Sequence, residues 1–183
     1  EVVDGCIDRV KLDKVDQLPV CDGSIRLTDL PIDQERRIHL EKLPAVKQFA
    51  KVNKLDRVVF KNKGAKIGIV SAGKSWLDTV HALELLGINQ TNAEDIGVSS
   101  YKVGMVWPLE ADSLIEWAVG LEIIIVVEEK RKLIEGQLKE IFYNRPNKPT
   151  VIGGVDEEGT PLFQSHYALE PIVVASVLGE KIL

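Results

Sequence analysis

The chain has 183 residues, 45% of them hydrophobic, and its 23 Lys and Arg against 28 Asp and Glu leave a net charge of −5. That length suits one core with an extra segment, and the acid excess gives no general electrostatic drive toward nucleic acid. The longest apolar stretch, residues 123–127, falls far short of a membrane span and no basic-then-apolar signal opens the chain, so a soluble cytoplasmic protein is expected, with no membrane partner.

Glu1 stands first and Met105 is the only methionine, so the chain reads as an excerpt of a longer polypeptide. Residues 1–32 read as an extended connector or arm that packs on another domain. It carries both cysteines, Cys6 and Cys21, which read as reduced thiols rather than a disulfide. Two thiols are too few for a four-cysteine cluster or zinc site. Residues 33–183 are expected to form one α/β domain with an N-terminal helical segment over 33–54, its two pieces (33–43 and 44–53) broken at Pro44. Lys47, Lys51, Lys54, Arg57, Lys61, Lys63 and Lys66 cluster with only Asp56 among them. A solvated helix and turn explains that run better than an acidic partner.

Residues 55–60 read as a strand joined by a Lys61-Asn62-Lys63-Gly64 turn to a second strand at 67–71. The link is too short for a parallel crossover, so the first strand is expected to run antiparallel to, and pair with, the second. From there the pattern alternates with short connections. A helix over 75–86 is closed by Gly87, a strand spans 100–106, and Trp107-Pro108 turns into a helix with Ala111, Leu114, Ile115 and Ala118 on one face, ended by Gly120. An apolar strand at 122–127, a helix at 130–143, a strand at 150–152 and a helix opened by Pro171 complete the chain. This rhythm predicts an open, mostly parallel sheet with helices on both faces and one antiparallel strand.

Residues 68–75, GIVSAGKS, satisfy the Walker A pattern G-x-x-x-x-G-K-[ST]. The pattern works through a loop whose amides wrap phosphate, yet its middle positions begin with the β-branched Ile69-Val70, which favour a pleated strand. Gly68 is therefore placed inside the strand, with the turn left to Ala72-Gly73 and too little loop to encircle a phosphate. In such sheets ligands meet the carboxyl ends of the strands. The candidate ligand or domain-interface edge is thus Ser71, Gly73, Lys74 and Ser75, with Trp107 and with Glu128, Glu129 and Lys130. A functional reading makes Gly73 and the amides of Ser75 and Trp76 an anion-binding helix N-terminus with Lys74 adding charge. The plainer reading has Ser71 or Ser75 as N-cap and Lys74 solvated. Glu128 and Glu129 resemble the acidic end of a Walker B strand, but without a true P-loop they are better placed at the start of the next helix. His39, His81 and His166 have no metal-ligand spacing, and no catalytic residue is assigned.

The segments LPAVKQFAKVNKLDRVVF, GIVSAGKSWLD, LGI, YKVGMVWPLE and VVEEKRKLIEGQLKEIFYN, in this order, resemble the middle of the fused indolepyruvate ferredoxin oxidoreductases, members of the 2-oxoacid:ferredoxin oxidoreductases. The resemblance runs over residues 35–144 and continues more weakly through Val155-Asp156-Glu157-Glu158-Gly159. It implies a three-layer α/β/α domain of the transketolase C-terminal kind. It further implies oxidative decarboxylation of an arylpyruvate by the full enzyme, with thiamine diphosphate, magnesium, [4Fe-4S] clusters, coenzyme A and ferredoxin. Neither the diphosphate-binding G-D-G…N-N signature nor the cluster cysteines occur here, so this piece would be a structural, interface domain that binds no cofactor. Its partners would be other domains of the same polypeptide, in a homo-oligomer. The alternative is a small P-loop-like NTPase or phosphate-binding enzyme built on GIVSAGKS.

Overall fold

The structure is a computed structural model and describes residues 26–182. Cys6, Cys21 and most of the expected connector lie outside the described residues. The chain divides into two compact units, Glu1–Leu55 and Asp56–Leu183.

In the first unit, α1 (Pro31–Arg37), a π-helical turn (Ile38–Lys42) and α2 (Leu43–Val52) follow one another without a gap. The expected break at Pro44 is corrected: the helix runs on through it. The Leu43 N–H donates to the Ile38 carbonyl, five residues back, and this wide turn spares the ordinary bond that the proline, lacking an N–H, could not make. Arg37 fastens the start of the segment through a 2.8 Å ion pair with Asp29.

The second unit is a five-stranded sheet in the order β1-β3-β2-β4-β5. The strands are β1 (Arg57–Phe60), β2 (Ile67–Ala72), β3 (Val98–Val103), β4 (Ile123–Val127) and β5 (Thr150–Ile152). Pairs β2/β3, β2/β4 and β4/β5 are parallel, and β1 alone runs antiparallel. Its direction is as expected but its partner is not. β1 pairs with β3, and residues 61–66 carry the chain past the end of β3 to the middle of the sheet. Asn62 holds that link open as a crossing rather than a hairpin, its side-chain amide donating to the carbonyls of Trp117 and Val119 at 2.6 and 3.0 Å.

Alternation along β2 to β5 builds two cores. Val70, Tyr101, Val103, Ile124, Val126 and Val151 face α5 (Ala111–Trp117) and α6 (Leu133–Phe142). Ile69, Val98, Ile125, Val127 and Ile152 face α3 (Gly73–Leu85) and α7 (Pro171–Ile182). α4 (Ala93–Ile96) is a single turn before β3, ended by Gly97 at φ +84°. The fold is therefore three layers, as the sequence pattern predicts. Among the described residues no helix is long and apolar enough to cross a membrane.

The first glycine of the Walker-like stretch, Gly68, lies within β2, where an added Cβ would stand 2.7 Å from Trp117 and from Leu121. Gly68→Ala should therefore destabilise the chain by about 1–3 kcal/mol from overpacking, less about 0.4–1 kcal/mol returned by a stiffer unfolded chain. Urea denaturation reads the sign, and an unchanged or higher midpoint would contradict this packing.

Candidate functional site at the carboxyl edge of the sheet

The parallel strands all end on one edge, so the turns after β2, β3 and β4 gather there. β2 passes into α3 with no intervening loop: Ala72 is extended and Gly73, at φ +54°, already begins the helix. This removes the phosphate-encircling loop on which the Walker A reading depends. Neither serine caps the helix. Ala72 occupies the N-cap, and no side-chain capping bond is made there. The Ser71 hydroxyl is fully buried with no partner among the described residues, and Ser75 is buried with its carbonyl accepting the Thr79 hydroxyl at 2.7 Å.

Nor is Lys74 merely solvated. Its ammonium donates to Asp78 at 2.7 Å, to the Leu169 carbonyl at 3.0 Å and to Glu129 at 3.3 Å. Glu129 also accepts the Leu169 N–H at 3.2 Å. Lys74 and Glu129 thus clasp both backbone groups of Leu169, drawing the segment before α7 over the ends of β2 and β4. The Leu169 amide, followed by Lys74, holds the Glu129 carboxyl below the usual glutamate range. The hydrogen bond to Asp78 raises the Lys74 ammonium. Lys130, at φ +73°, adds a further tie through the Tyr167 carbonyl.

Glu128 turns the other way and closes α6. Its two oxygens accept the N–H groups of Ile134 and Glu135 at 2.8 and 2.9 Å, a favourable place for negative charge at a helix N-terminus. Burial nevertheless pushes its pKa up, the backbone bonds opposing and the nearby Glu135 reinforcing that shift. Glu135 is itself buried, 2% exposed, and accepts Lys139 at 2.6 Å and the Gly154 N–H at 2.8 Å.

Trp107 is 58% exposed beside Val106, and both stand on the loop between β3 and α5. Gln137 of α6 fixes that loop, donating to the Val106 carbonyl at 2.9 Å and accepting the Leu109 N–H at 3.0 Å. Asp56 fixes its beginning by accepting Gly104 N–H at 2.7 Å and the Tyr101 hydroxyl at 3.1 Å. Sequence reasoning missed Asp56, Asp78 and Glu135. The last two each sit four residues from a lysine they bind, Lys74 and Lys139, a spacing that could have flagged them. Asp56 leaves no such signal, because its partners lie more than forty residues away. Of the basic run, Lys63 and Lys66 form exposed pairs with Glu94 and Glu122.

The edge therefore brings Lys74, Glu129 and Lys130 together around the segment 167–169, with Glu128 committed to α6. Lys74, Glu129 and Lys130 neutralise one another beside an apolar flank, and no nucleophile is paired to a base there among the described residues. Residues 57–183 match the family described as the indolepyruvate oxidoreductase domain. The chain belongs to this family.

Among curated proteins it is 29% identical over 103 residues to the indolepyruvate oxidoreductase subunit IorA of Methanothermobacter marburgensis, a match covering 56% of this chain. The match takes in 15% of that relative's length. Among solved structures, a 2-oxoglutarate:ferredoxin oxidoreductase from Magnetococcus marinus, with 2-oxoglutarate, coenzyme A and succinyl-CoA bound, aligns at TM-score 0.53 and 19% identity. That alignment covers 84% of this chain and 24% of the other, and it supports the shared fold. A split-gene transketolase aligns at TM-score 0.47 and 16% identity, over 69% of this chain and 41% of its own.

The raised pKa of Glu128 fixes a sign. A carboxyl whose folded pKa exceeds its unfolded value stabilises fully below that unfolded value and loses the contribution as pH rises through the folded pKa. Glu128→Gln, which keeps one acceptor and cannot ionise, should cost about 1 kcal/mol at pH 4.5 through the weakened cap. The deficit should shrink as pH rises to about 7. Paired denaturation curves measure it, and a deficit growing with pH would contradict the direction.

Proposed function

We propose that this chain is a structural and interface domain of a cytoplasmic 2-oxoacid:ferredoxin oxidoreductase, one that shapes the assembly and leaves the reaction centre to neighbouring domains. The observation that carries the reading is the family match across the whole α/β unit, joined to an edge where Lys74, Glu129 and Lys130 are already bonded to one another. The name of the curated relative favours indolepyruvate or a similar arylpyruvate as substrate of the complete enzyme. In such an enzyme thiamine diphosphate would supply the electron sink for decarboxylation and iron–sulfur clusters a route for electrons to ferredoxin, with coenzyme A as acyl acceptor, all held by domains other than this one.

This edge does not fit a magnesium–diphosphate group. The first amides of α6 are taken by Glu128, and β2 enters α3 without a phosphate loop. Two cysteines in the entire chain cannot ligate a four-cysteine cluster. What the edge does offer a neighbouring domain is apolar contact, since Val106, Trp107 and Leu133 are all exposed there. An exposed tryptophan with adjacent aliphatics is the composition of an interface anchor. We place the docking of other domains of the same polypeptide on this side, within a homo-oligomeric enzyme.

Two measurements test the reading. The purified chain, given an arylpyruvate, coenzyme A and ferredoxin, should reduce no ferredoxin, and turnover by the chain alone would overturn the proposal. Trp107→Asp should leave the melting of the isolated chain within about 0.5 kcal/mol of wild type, as befits an exposed site. In the complete enzyme the same change should weaken assembly and lower ferredoxin reduction several-fold. Normal assembly and turnover would remove this edge from the interface.

A further inference from the structure

Beside the Leu169 clasp, between the loop after β4 and the loop after β5, lies a cavity of about 470 Å³. That volume falls within the range of small-molecule sites, and the carboxyl edge is where open α/β sheets bind ligands. Gly154, just past β5, is in its lining, and Gly153 and Gly154 each make room for a charged side chain. The Glu135 carboxylate reaches within 2.7 Å of where a Cβ on Gly153 would stand. The Lys132 stem lies over Gly154, its ammonium 2.6 Å from the position of an added Cβ there. A side chain at Gly154 would therefore displace Lys132 from the cavity lining.

Charge sets this cavity apart from the rest of the edge. Lys74, Lys130 and Lys139 are each bonded to an acceptor of the chain. Arg131 and Lys132, which line the cavity, make no side-chain hydrogen bond or ion pair among the described residues. Glu135 is matched by Lys139 at 2.6 Å, and Glu128 spends both oxygens on α6 amides. Both carboxylates also line the cavity, and they are engaged while the two cations are not. Leu162 and Phe163 give the lining its apolar part, beside Pro161 and the polar Gln164, Ser165 and His166.

We propose that this cavity binds a phosphate monoester of a small organic molecule, its phosphate between Arg131 and Lys132 and its organic body against Leu162 and Phe163. A phosphate monoester carries a charge of roughly −1.5 to −2 near neutral pH, which matches both unpaired cations, whereas a monocarboxylate would leave one of them unmatched. The arginine fork also suits phosphate oxygens bidentately. The site is separate from the Walker-like stretch and needs no amide of α3.

The whole chain would be titrated with phenyl phosphate, inorganic phosphate and benzoate, by calorimetry and by backbone amide NMR. Phenyl phosphate should bind saturably at one site, more tightly than either of the others, and shift the amides of Arg131, Lys132, Gly154 and Phe163. Arg131→Gln with Lys132→Gln should lower its affinity by about tenfold or more, the loss expected for at least 1.4 kcal/mol of charge pairing, with melting unchanged. Gly154→Ala, which keeps both charges but displaces the lysine stem, should also weaken binding. Lys63→Ala, which removes only an exposed pair with Glu94, should not. Benzoate binding as tightly as phenyl phosphate, affinity surviving the double substitution, loss of affinity in Lys63→Ala, or no saturable binding at millimolar ligand would each overturn the proposal.

Discussion

Gly68 makes the arrangement of the sheet possible by carrying no side chain. The indole of Trp117 lies in the space a Cβ would fill, so the last residue of α5 rests directly on β2. From there its N–H donates to the Ser99 hydroxyl at 2.7 Å, and its ring meets Tyr101 at 5.1 Å between centroids. Ser99 passes the connection on, its hydroxyl donating to the Phe60 carbonyl at 2.7 Å, while the Phe60 N–H donates to the Ser100 hydroxyl at 3.0 Å. One contact on the central strand thereby fixes a helix, and through it the edge strand β1 is fastened to β3. A buried tryptophan N–H needs an acceptor, and here the acceptor is also the donor that specifies strand order.

At the other end of the strands the same economy governs the charged residues. Lys74 on α3, Glu129 after β4 and both backbone groups of Leu169 form a closed set of bonds. This set ties the first turn of α3 to the segment leading into α7. Glu128 points into α6 and Gln137 holds the Trp107 loop. Groups so engaged are suited to holding three connections in register rather than to carrying a reaction, because a proton or electron pair leaving any of them would cost the bonds that shape the edge. The arrangement leaves exposed apolar side chains and two unmatched cations, Arg131 and Lys132, as the surfaces available to others.

Where reading the sequence and the structure part company, the cause is a long-range partner. The Lys61-Asn62-Lys63-Gly64 turn has hairpin composition, and locally nothing forbids one. Asn62 finds acceptors at Trp117 and Val119, 55 and 57 residues away, and the turn becomes a crossing. Pro44 lacks the N–H of an ordinary helix interior, so a break was the natural expectation. A π turn one residue earlier removes the need for that bond. Ser71 and Ser75 are suitable capping residues, yet Ser71 occupies a strand position facing the α3 side of the sheet, too deep to reach the first turn's amides.

The sequence by itself determined the periodic elements and the layer count. The continuous apolar run at 123–127 reads as a central parallel strand, and the β-branched Ile69-Val70 mark the Walker spelling as a strand from local sterics alone. It also placed the candidate edge, because the carboxyl ends of parallel strands share one side whatever their order. Tertiary structure alone decided the order of the strands, the clasp of Lys74 and Glu129 on Leu169, and the pairing of Gly153 and Gly154 with Glu135 and Lys132. Local composition fixes backbone conformation through sterics between neighbours, whereas these contacts join residues from about 20 to nearly 100 positions apart. Which of several equally polar partners meet is settled only when the layers pack and each buried donor must find an acceptor.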